Sequence, residues 1–469
     1  MPNRAFRSLL LAVWIGCVGG GDGWAADGIE VWLTHPDGTA RFERQAERVP
    51  FRSGTRSGGR VIQVDSSRRH QPMEGFGYTL TGGSAQLLMA MSPSARAALL
   101  RELFGTEGSQ IGVSYLRLTV GASDLNDRVF TYNDLPPGET DPELTRFDLG
   151  PDRRDVLPVL REILAIQPDL RLMASPWSAP SWMKTNQDSK GGTLKPEWYA
   201  AYARYLVKYV QAMQAEGIRI HALTVQNEPL NPDNNPSMVM YATDQAWFIK
   251  RHLGPMLRQA GLSTEILCYD HNADRPDYPL TILNDPEAKA FVAGSAFHLY
   301  AGNIAALAQV REAHPDRALH FTEQWIGAPG NLKGDMGWHV RELVVGAVRQ
   351  GCRTVLEWNL AADPRNRPHT DRGGCDRCLG ALTLDGDAVQ RNPAYYIIAH
   401  AAKFVRPGCM RVDSTEHADL PNVAFATPNG RQVLIVLNPA GETARFQIVT
   451  PAGGASAALP AGAVATYVW

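Results

Sequence analysis

With 469 residues and 44% hydrophobic content, the chain is long enough for two domains or one large barrel with an appendage, and apolar enough to bury a substantial core. Its 46 basic and 48 acidic residues leave a formal charge of -2 and form no long single-sign run, which excludes the footprint of a nucleic-acid-binding protein. The 11 tryptophans fit either a large core or surfaces for stacking on sugars, and decide nothing alone.

The chain opens "MPNRAFRSLLLAVWIGCVGGGDGWAADG", with Arg4 and Arg7, an apolar run from Leu9 to Val18, and then small residues. This layout predicts a secretory signal over residues 1–25, cleaved after Ala25, and hence an exported protein. The apolar run is too short for a comfortable bilayer span, and no other segment could cross one. Cys17 after Gly16 leaves lipid anchoring as the alternative to soluble export. Residues 26–72 hold two strand candidates, "GIEVWLT" and "RVIQVDS".

From about residue 73 to 405, short apolar runs alternate with amphipathic segments. "EGFGYTL" precedes "SPSARAALLRELFG", with Ser92 as a cap and Pro93 in the first turn. "SYLRLTVG" leads through a long loop to "DRRDVLPVLREILAIQ", and "LRLMAS" to "PEWYAAYARYLVKYVQAMQAEG". "IHALTVQN" precedes "TDQAWFIKRHLGPMLRQAG"; "EILCYD", "GSAFHLY", "ALHFTE" and "RTVLEWN" follow, each trailed by a helical pattern. About eight strand–helix pairs predict an α/β protein with a (β/α)8 TIM barrel. A doubly wound open sheet also alternates, but here polar residues recur at the C-terminal ends of strands throughout, and in a barrel those ends meet at one mouth. Residues 406–469 change rhythm: "VAFAT", "QVLIVLN", "ARFQIVT" and "AVATYVW", separated by turn residues, predict an appended all-β sandwich that the strands of residues 26–72 complete. Its expected role is to brace the barrel.

Two glutamates stand out against this frame. "TVQNEP" ends the fourth strand with Asn227 and Glu228, and "HFTEQW" ends the seventh with Glu323. Strands four and seven face each other across a barrel mouth, and two opposed carboxyl groups there suit glycoside hydrolysis. A separation of about 5–5.5 Å gives retention and about 6.5–9.5 Å gives inversion. Pro229 is expected to keep Glu228 out of helical geometry and extended at the rim. Asn227 is placed to bind a sugar hydroxyl. Either glutamate alone would read as an ordinary salt bridge or helix cap.

The motifs resemble glycoside hydrolase family 30, which contains glucosylceramidases and endo-β-1,6-glucanases, over essentially everything after the signal. "TVQNEP" is similar to the family's acid/base motif, implying Glu228, and "FTEQW" to its nucleophile motif, implying Glu323. "LRLTVGASDLNDRVFTYND" implies Arg117 as support for the nucleophile and Asp124 as a glucose ligand. "ASPWSAPSWMKTN" implies Trp177 as a sugar-binding aromatic, with Trp182 nearby. "FHLY" offers His298 and Tyr300, and "LEWNL" offers Trp358 as a stacking platform. Arg117 is expected to keep Glu323 ionised, while an apolar or anionic setting keeps Glu228 protonated. His298 reads as a hydrogen-bonding partner of a catalytic carboxylate or of Tyr300, and neither a metal nor an organic cofactor is expected.

Three departures bear on the substrate. Gly82 stands where many glucosylceramidases have Asp, Leu299 where they tend to have an aromatic residue, and "EQW" follows the nucleophile. Of six cysteines, Cys268 and Cys352 read as buried thiols. Cys375 and Cys378, in "GGCDRC", read as a local disulfide, or as half of a zinc site that no second pair completes. The loops "YDHNADRPDYPLT" and "NLAADPRNRPHTDRGGCDRC" are expected to shape the leaving-group side of the cleft. The resulting expectation is a retaining, glucosylceramidase-like β-glucosidase acting on a β-glucoside, glucosylceramide or β-glucan. An endo-β-1,6-glucanase or a catalytically inactive carbohydrate-binding protein is the alternative.

Overall fold

A computed structural model of the protein describes residues 28–52 and 59–469; the expected signal and Cys17 lie outside the described residues. Eight parallel strands close into a barrel in chain order: Gly75–Leu80, Tyr115–Val120, Arg171–Pro176, Ala222–Thr224, Glu265–Ala273, Val292–Gly302, Ala318–Glu323 and Cys352–Asn359. We number them barrel strands 1 to 8. Tyr115, Met173, Ala222, Leu267, Ala296 and Leu356 fill the interior in one cluster, so the barrel is a packed core open only at its ends.

Each strand is followed by helix, as its sequence pattern predicts. Ser92 caps the helix Pro93–Phe104, its hydroxyl accepting from the Ala95 N–H. The segment 242–259 is helical throughout, with a π-turn over Ile249–Leu253 that ends two residues before Pro255, where a residue without an N–H enters the helix. The short helix Gly82–Ala90, capped by Thr81, has no counterpart in the sequence reading, because its two glycines and weak amphipathicity mask it.

The second unit is a nine-stranded arrangement in which N-terminal and C-terminal strands interleave. Glu30–Thr34 pairs antiparallel with the last strand, Val464–Val468. The long strand Arg60–Pro72 pairs with Met410–Ser414 along one stretch and, through Arg60–Gln63, with Ala444–Thr450 along another, so one strand serves both layers. Ile29, Val31, Ile62, Val64, Leu434 and Val436 belong to a core separate from the barrel's. The strands Met410–Ser414 and Gly453–Leu459 escape the sequence reading; the second is built almost wholly of Gly, Ala and Ser, without the β-branched signal of a strand. Against the barrel, His400 on the helix Pro393–Ala402 reaches the Thr34 and Thr466 hydroxyls at 2.8 and 2.9 Å. Among the described residues no helix is long and apolar enough to cross a membrane.

Candidate active site

The C-terminal ends of the barrel strands carry a nest of buried charge. Arg117, the third residue of barrel strand 2, is fully buried. Its guanidinium donates to Glu323 at the end of barrel strand 7, to Asn227 Oδ1 at 2.6 Å and to Asp270 Oδ2 at 2.8 Å. His298, in barrel strand 6, lies with Nδ1 3.2 Å from Glu228 Oε1 and Nε2 3.1 Å from Asp270 Oδ1. Tyr300 donates its hydroxyl to Glu323 Oε1 at 2.9 Å. Glu228 Oε2 accepts from the carboxamides of Asn231 at 2.7 Å and Asn234 at 3.2 Å.

Glu228 and Glu323 therefore share one site. Each offers a carboxylate oxygen that, with a nitrogen of His298, lies within 4.8 Å of the other two. Three such donors could ligate a metal ion, but Glu323 is already paired with the Arg117 guanidinium, which a cation there would face as a like charge. The two carboxyl groups open onto a cavity of about 580 Å³ whose lining includes Asp124, Asn234, Tyr300, Trp325 and Trp358.

Asp270 is the residue that sequence reasoning missed. It is completely buried and accepts from Arg117, His298, Ser175 at 2.6 Å, Thr322 at 2.7 Å and Thr224 at 2.8 Å. A kink turns it inward: Tyr269 and Asp270 have φ of 74° and 70°, and the pairing of barrel strand 5 with strand 6 slips at this point. Left-handed backbone at two successive non-glycine residues costs energy that the surrounding hydrogen bonds must offset. The kink also orients Glu228 beyond the neighbouring strand, because the Glu228 N–H donates to the Asp270 carbonyl at 2.9 Å. One signal was available, a lone acidic residue at the end of "EILCYD", matching the polar residues that end the other strands.

Two expectations about Glu228 need correction. Its φ is +45°, so it is left-handed rather than extended; Pro229 keeps it from the right-handed helix, and the bond to Asp270 selects the conformation. Nor do its surroundings favour the protonated form. Burial pushes its pKa up, but the hydrogen bond and charge of His298, with His271 and Asn231, outweigh burial and bring it to about 2. His298 moves the opposite way: burial disfavours the imidazolium, yet the Glu323 charge and the bonds to Asp270 and Glu228 raise its pKa to about 9. The two shifts run in opposite directions, and both favour a carboxylate–imidazolium pair. Burial raises the pKa of Glu323, against His298 and Arg117, which favour the anion; Arg117 acts in the expected direction without prevailing. Asp124 is pushed up to about 7 by burial and by the Glu323 and Glu228 charges, while backbone N–H groups, Cys375's among them, favour its ionised form.

The aromatic expectations divide. Trp358 lines the cavity, with Trp177 stacked behind it at 5.4 Å between ring centroids. Trp177 is 1% exposed and lies 4.7 Å from the Arg117 guanidinium, so its faces are taken by Trp358 and Arg117 rather than open to a sugar. Trp182 is not brought to the site; it packs edge-on against Trp198 and donates to Asn133 Oδ1 at 3.0 Å. Trp325, immediately beyond "TEQ", supplies a half-buried aromatic wall instead. Gly82 has a structural reason: a Cβ there would lie 2.0 Å from Asn126 Nδ2, so Asn126 fills the space that an Asp side chain would need.

A closed parallel barrel with opposed carboxyl groups beyond strands 4 and 7 defines an O-glycosyl hydrolase. The Glycosyl hydrolase family 30 TIM-barrel domain matches residues 73–405, and the family's beta sandwich domain matches residues 408–467. The chain belongs to glycosyl hydrolase family 30. It is similar to an endo-1,6-beta-D-glucanase of Aspergillus fumigatus, 32% identical over 443 residues and covering 88% of each chain. The lysosomal acid glucosylceramidase of Mus musculus is 29% identical over 459 residues, covering 92% of this chain and 88% of that one. Among solved structures, the endo-beta1,6-glucanase BT3312 superposes with a TM-score of 0.86 at 32% identity, covering 94% of this chain and 99% of that one.

Proposed function

We propose that this protein is an exported, retaining endo-β-1,6-glucanase. The observation that carries retention is the close approach of Glu228 and Glu323, whose facing oxygens lie within 4.8 Å, which matches the roughly 5–5.5 Å spacing of retaining pairs and falls short of the roughly 6.5–9.5 Å of inverting ones. The glucosylceramidase-like reading of the sequence yields to its alternative on two grounds. Relatives named endo-1,6-beta-D-glucanase reach 32% and 33% identity, against 29% for the mouse glucosylceramidase. Beside Glu228, the cleft wall carries Asn231, Asp233, Asn234 and Asn272, groups that match a hydroxyl-rich sugar better than the hydrocarbon of a ceramide.

Glu323 attacks the anomeric carbon, forming a glycosyl ester, while Glu228 protonates the departing oxygen; water, deprotonated by Glu228, then releases the sugar with its configuration retained. The proton reaches Glu228 from His298. The Glu323 charge is the strongest influence holding that proton on the imidazole, and it vanishes as the ester bond forms, so the acid is supplied as it is needed. Asp124 accepts hydrogen bonds from sugar hydroxyls. Asn227, whose oxygen is held by Arg117, presents its amide N–H groups to the sugar. Tyr300 orients Glu323, and Trp358 and Trp325 stack on the sugar rings. The sandwich braces the barrel.

Product analysis tests this reading. On linear β-1,6-glucan the expected result is a ladder of oligosaccharides whose new reducing ends are β by NMR at early times. Glucose as the sole early product, release of the α anomer, or action confined to glucosylceramide would overturn it.

A further inference from the structure

The loop after barrel strand 8, residues 363–381, meets three of the chain segments that carry the site, those of Asp124, Glu228 and Glu323. The Thr370 N–H donates to the Asp124 carbonyl at 2.8 Å, and the Asn235 carboxamide, a few residues beyond Glu228, donates to the Asp371 carbonyl at 3.0 Å. Cys378 pairs in a short antiparallel ladder with Gly327, just beyond Glu323, where the Ala328 N–H also donates to the Arg377 carbonyl at 2.8 Å. Cys378 is thus held by strand pairing, whereas Cys375 lies in a stretch without regular structure. The disulfide between them ties the loose residue to the fixed one. Both half-cystines line the cavity beside Asp124, and they pack in one cluster with Trp358, Trp177, Trp325 and Leu125.

We propose that the Cys375–Cys378 disulfide is a positioning element of the sugar-binding cleft, holding the Cys375 backbone at the cavity wall it shares with Asp124 and the loop against Trp358. The proposal rests on the reading that Asp124 binds the sugar. It assigns the CxxC pair neither redox catalysis nor zinc binding. The ring it closes spans so few residues that the bond removes little unfolded-chain entropy, so its effect falls on the local geometry of the cleft rather than on global folding. The direction of the effect follows from the Cys375 amide, which favours the ionised form of Asp124. When the bond is lost and the amide drifts away, Asp124 holds its proton to higher pH.

The test compares wild type with Cys375→Ser/Cys378→Ser on linear β-1,6-glucan across pH. The expected result is a KM raised about tenfold with kcat within threefold, and an acidic arm of kcat/KM displaced to higher pH. In an Asp124→Asn background the same double substitution should change KM by less than twofold, because the two act through one contact. KM and the acidic arm both unchanged in an active, folded variant, or a full tenfold effect persisting in the Asp124→Asn background, overturns the proposal. Should the double variant not fold, dithiothreitol in the assay converts the disulfide of the folded wild type to two thiols, with the reagent becoming its own cyclic disulfide. KM should then rise by the same factor and recover on reoxidation, and a KM that does not rise overturns the proposal. Failure of the wild type on β-1,6-glucan would instead refute the proposed function, and 4-nitrophenyl β-glucoside then serves for the same comparison.

Discussion

Replacing Asp270 by Asn removes one charge from a position that touches both halves of the machinery while keeping the side chain's shape. Asp270 lies 2.8 Å from Arg117 and 3.1 Å from His298, and Arg117 and Asp270 are both fully buried. At an effective dielectric near 20, unit charges at 2.8 Å attract by about 6 kcal/mol before desolvation is counted. Removing one partner of a buried pair costs about 3–5 kcal/mol of stability. Here Arg117 keeps Glu323 and Asn227, which puts the expected loss at the lower end, about 3 kcal/mol. The catalytic loss has two parts. Freed from Asp270, Arg117 concentrates its charge on Glu323 and makes it a poorer nucleophile. His298 loses a carboxylate that holds its proton, and each unit by which its pKa falls is worth about 1.4 kcal/mol. Together these predict a fall in kcat/KM on the order of 10²–10³-fold, or about 2.7–4.1 kcal/mol. Reducing-end release from β-1,6-glucan between pH 4 and 10 measures it. The alkaline arm, set by His298 near pH 9 in the wild type, should move towards acid. Aryl β-glucosides divide the loss further, since a 2,4-dinitrophenyl leaving group needs no acid and should be spared that part of the defect. A variant with kcat/KM within threefold of wild type and an unmoved alkaline arm would refute the reasoning.

Substituting Glu323 by Gln should lower kcat on the order of 10⁴-fold or more, about 5.4 kcal/mol of barrier, with the unfolding midpoint nearly unchanged; substantial residual turnover would remove it as the nucleophile. Asp124, with its pKa pushed up to about 7, is neutral below that pH and a carboxylate above it, so kcat/KM should fall as the pH drops through about 7. Asp124→Asn should erase this arm and cost about 10–100-fold, as expected for losing hydrogen bonds to a charged group, and an arm that persists would assign it elsewhere. His400, buried between barrel and sandwich, has its pKa lowered by burial from the ordinary 6.5 to about 3. Between those values the unfolded chain binds a proton that the folded protein does not. Its contribution is therefore complete above pH 6.5 and declines towards pH 3 by about 1.4 kcal/mol per unit. Urea titrations of His400→Gln should show a correspondingly shallower loss of stability in acid, and an identical slope would contradict the assignment.

The barrel was legible because its evidence is local. Eight apolar runs alternating with amphipathic stretches state element type and order in the chain itself, and all eight runs recur as barrel strands. Where local signal is weak, the reading loses elements, as with Gly82–Ala90 and Gly453–Leu459. Glu228 and Glu323 could be singled out because a carboxylate at the end of an apolar strand is conspicuous and the two strand ends share a mouth. Asp270 had the same placement without a motif around it, and its role depends on a kink that strand periodicity does not encode.

Sequence alone determined the architecture, the two opposed glutamates and, through its motifs, the family. Only the tertiary structure decided which aromatic rings face the cleft, that His298 bridges Glu228 and Asp270, and that a CxxC disulfide stands beside Asp124. The physical reason is that hydrophobic periodicity is a property of neighbours along the chain. Exposure and pKa, by contrast, are sums over neighbours in space, and the groups that set them in this cleft come from different barrel strands and the loops that follow them.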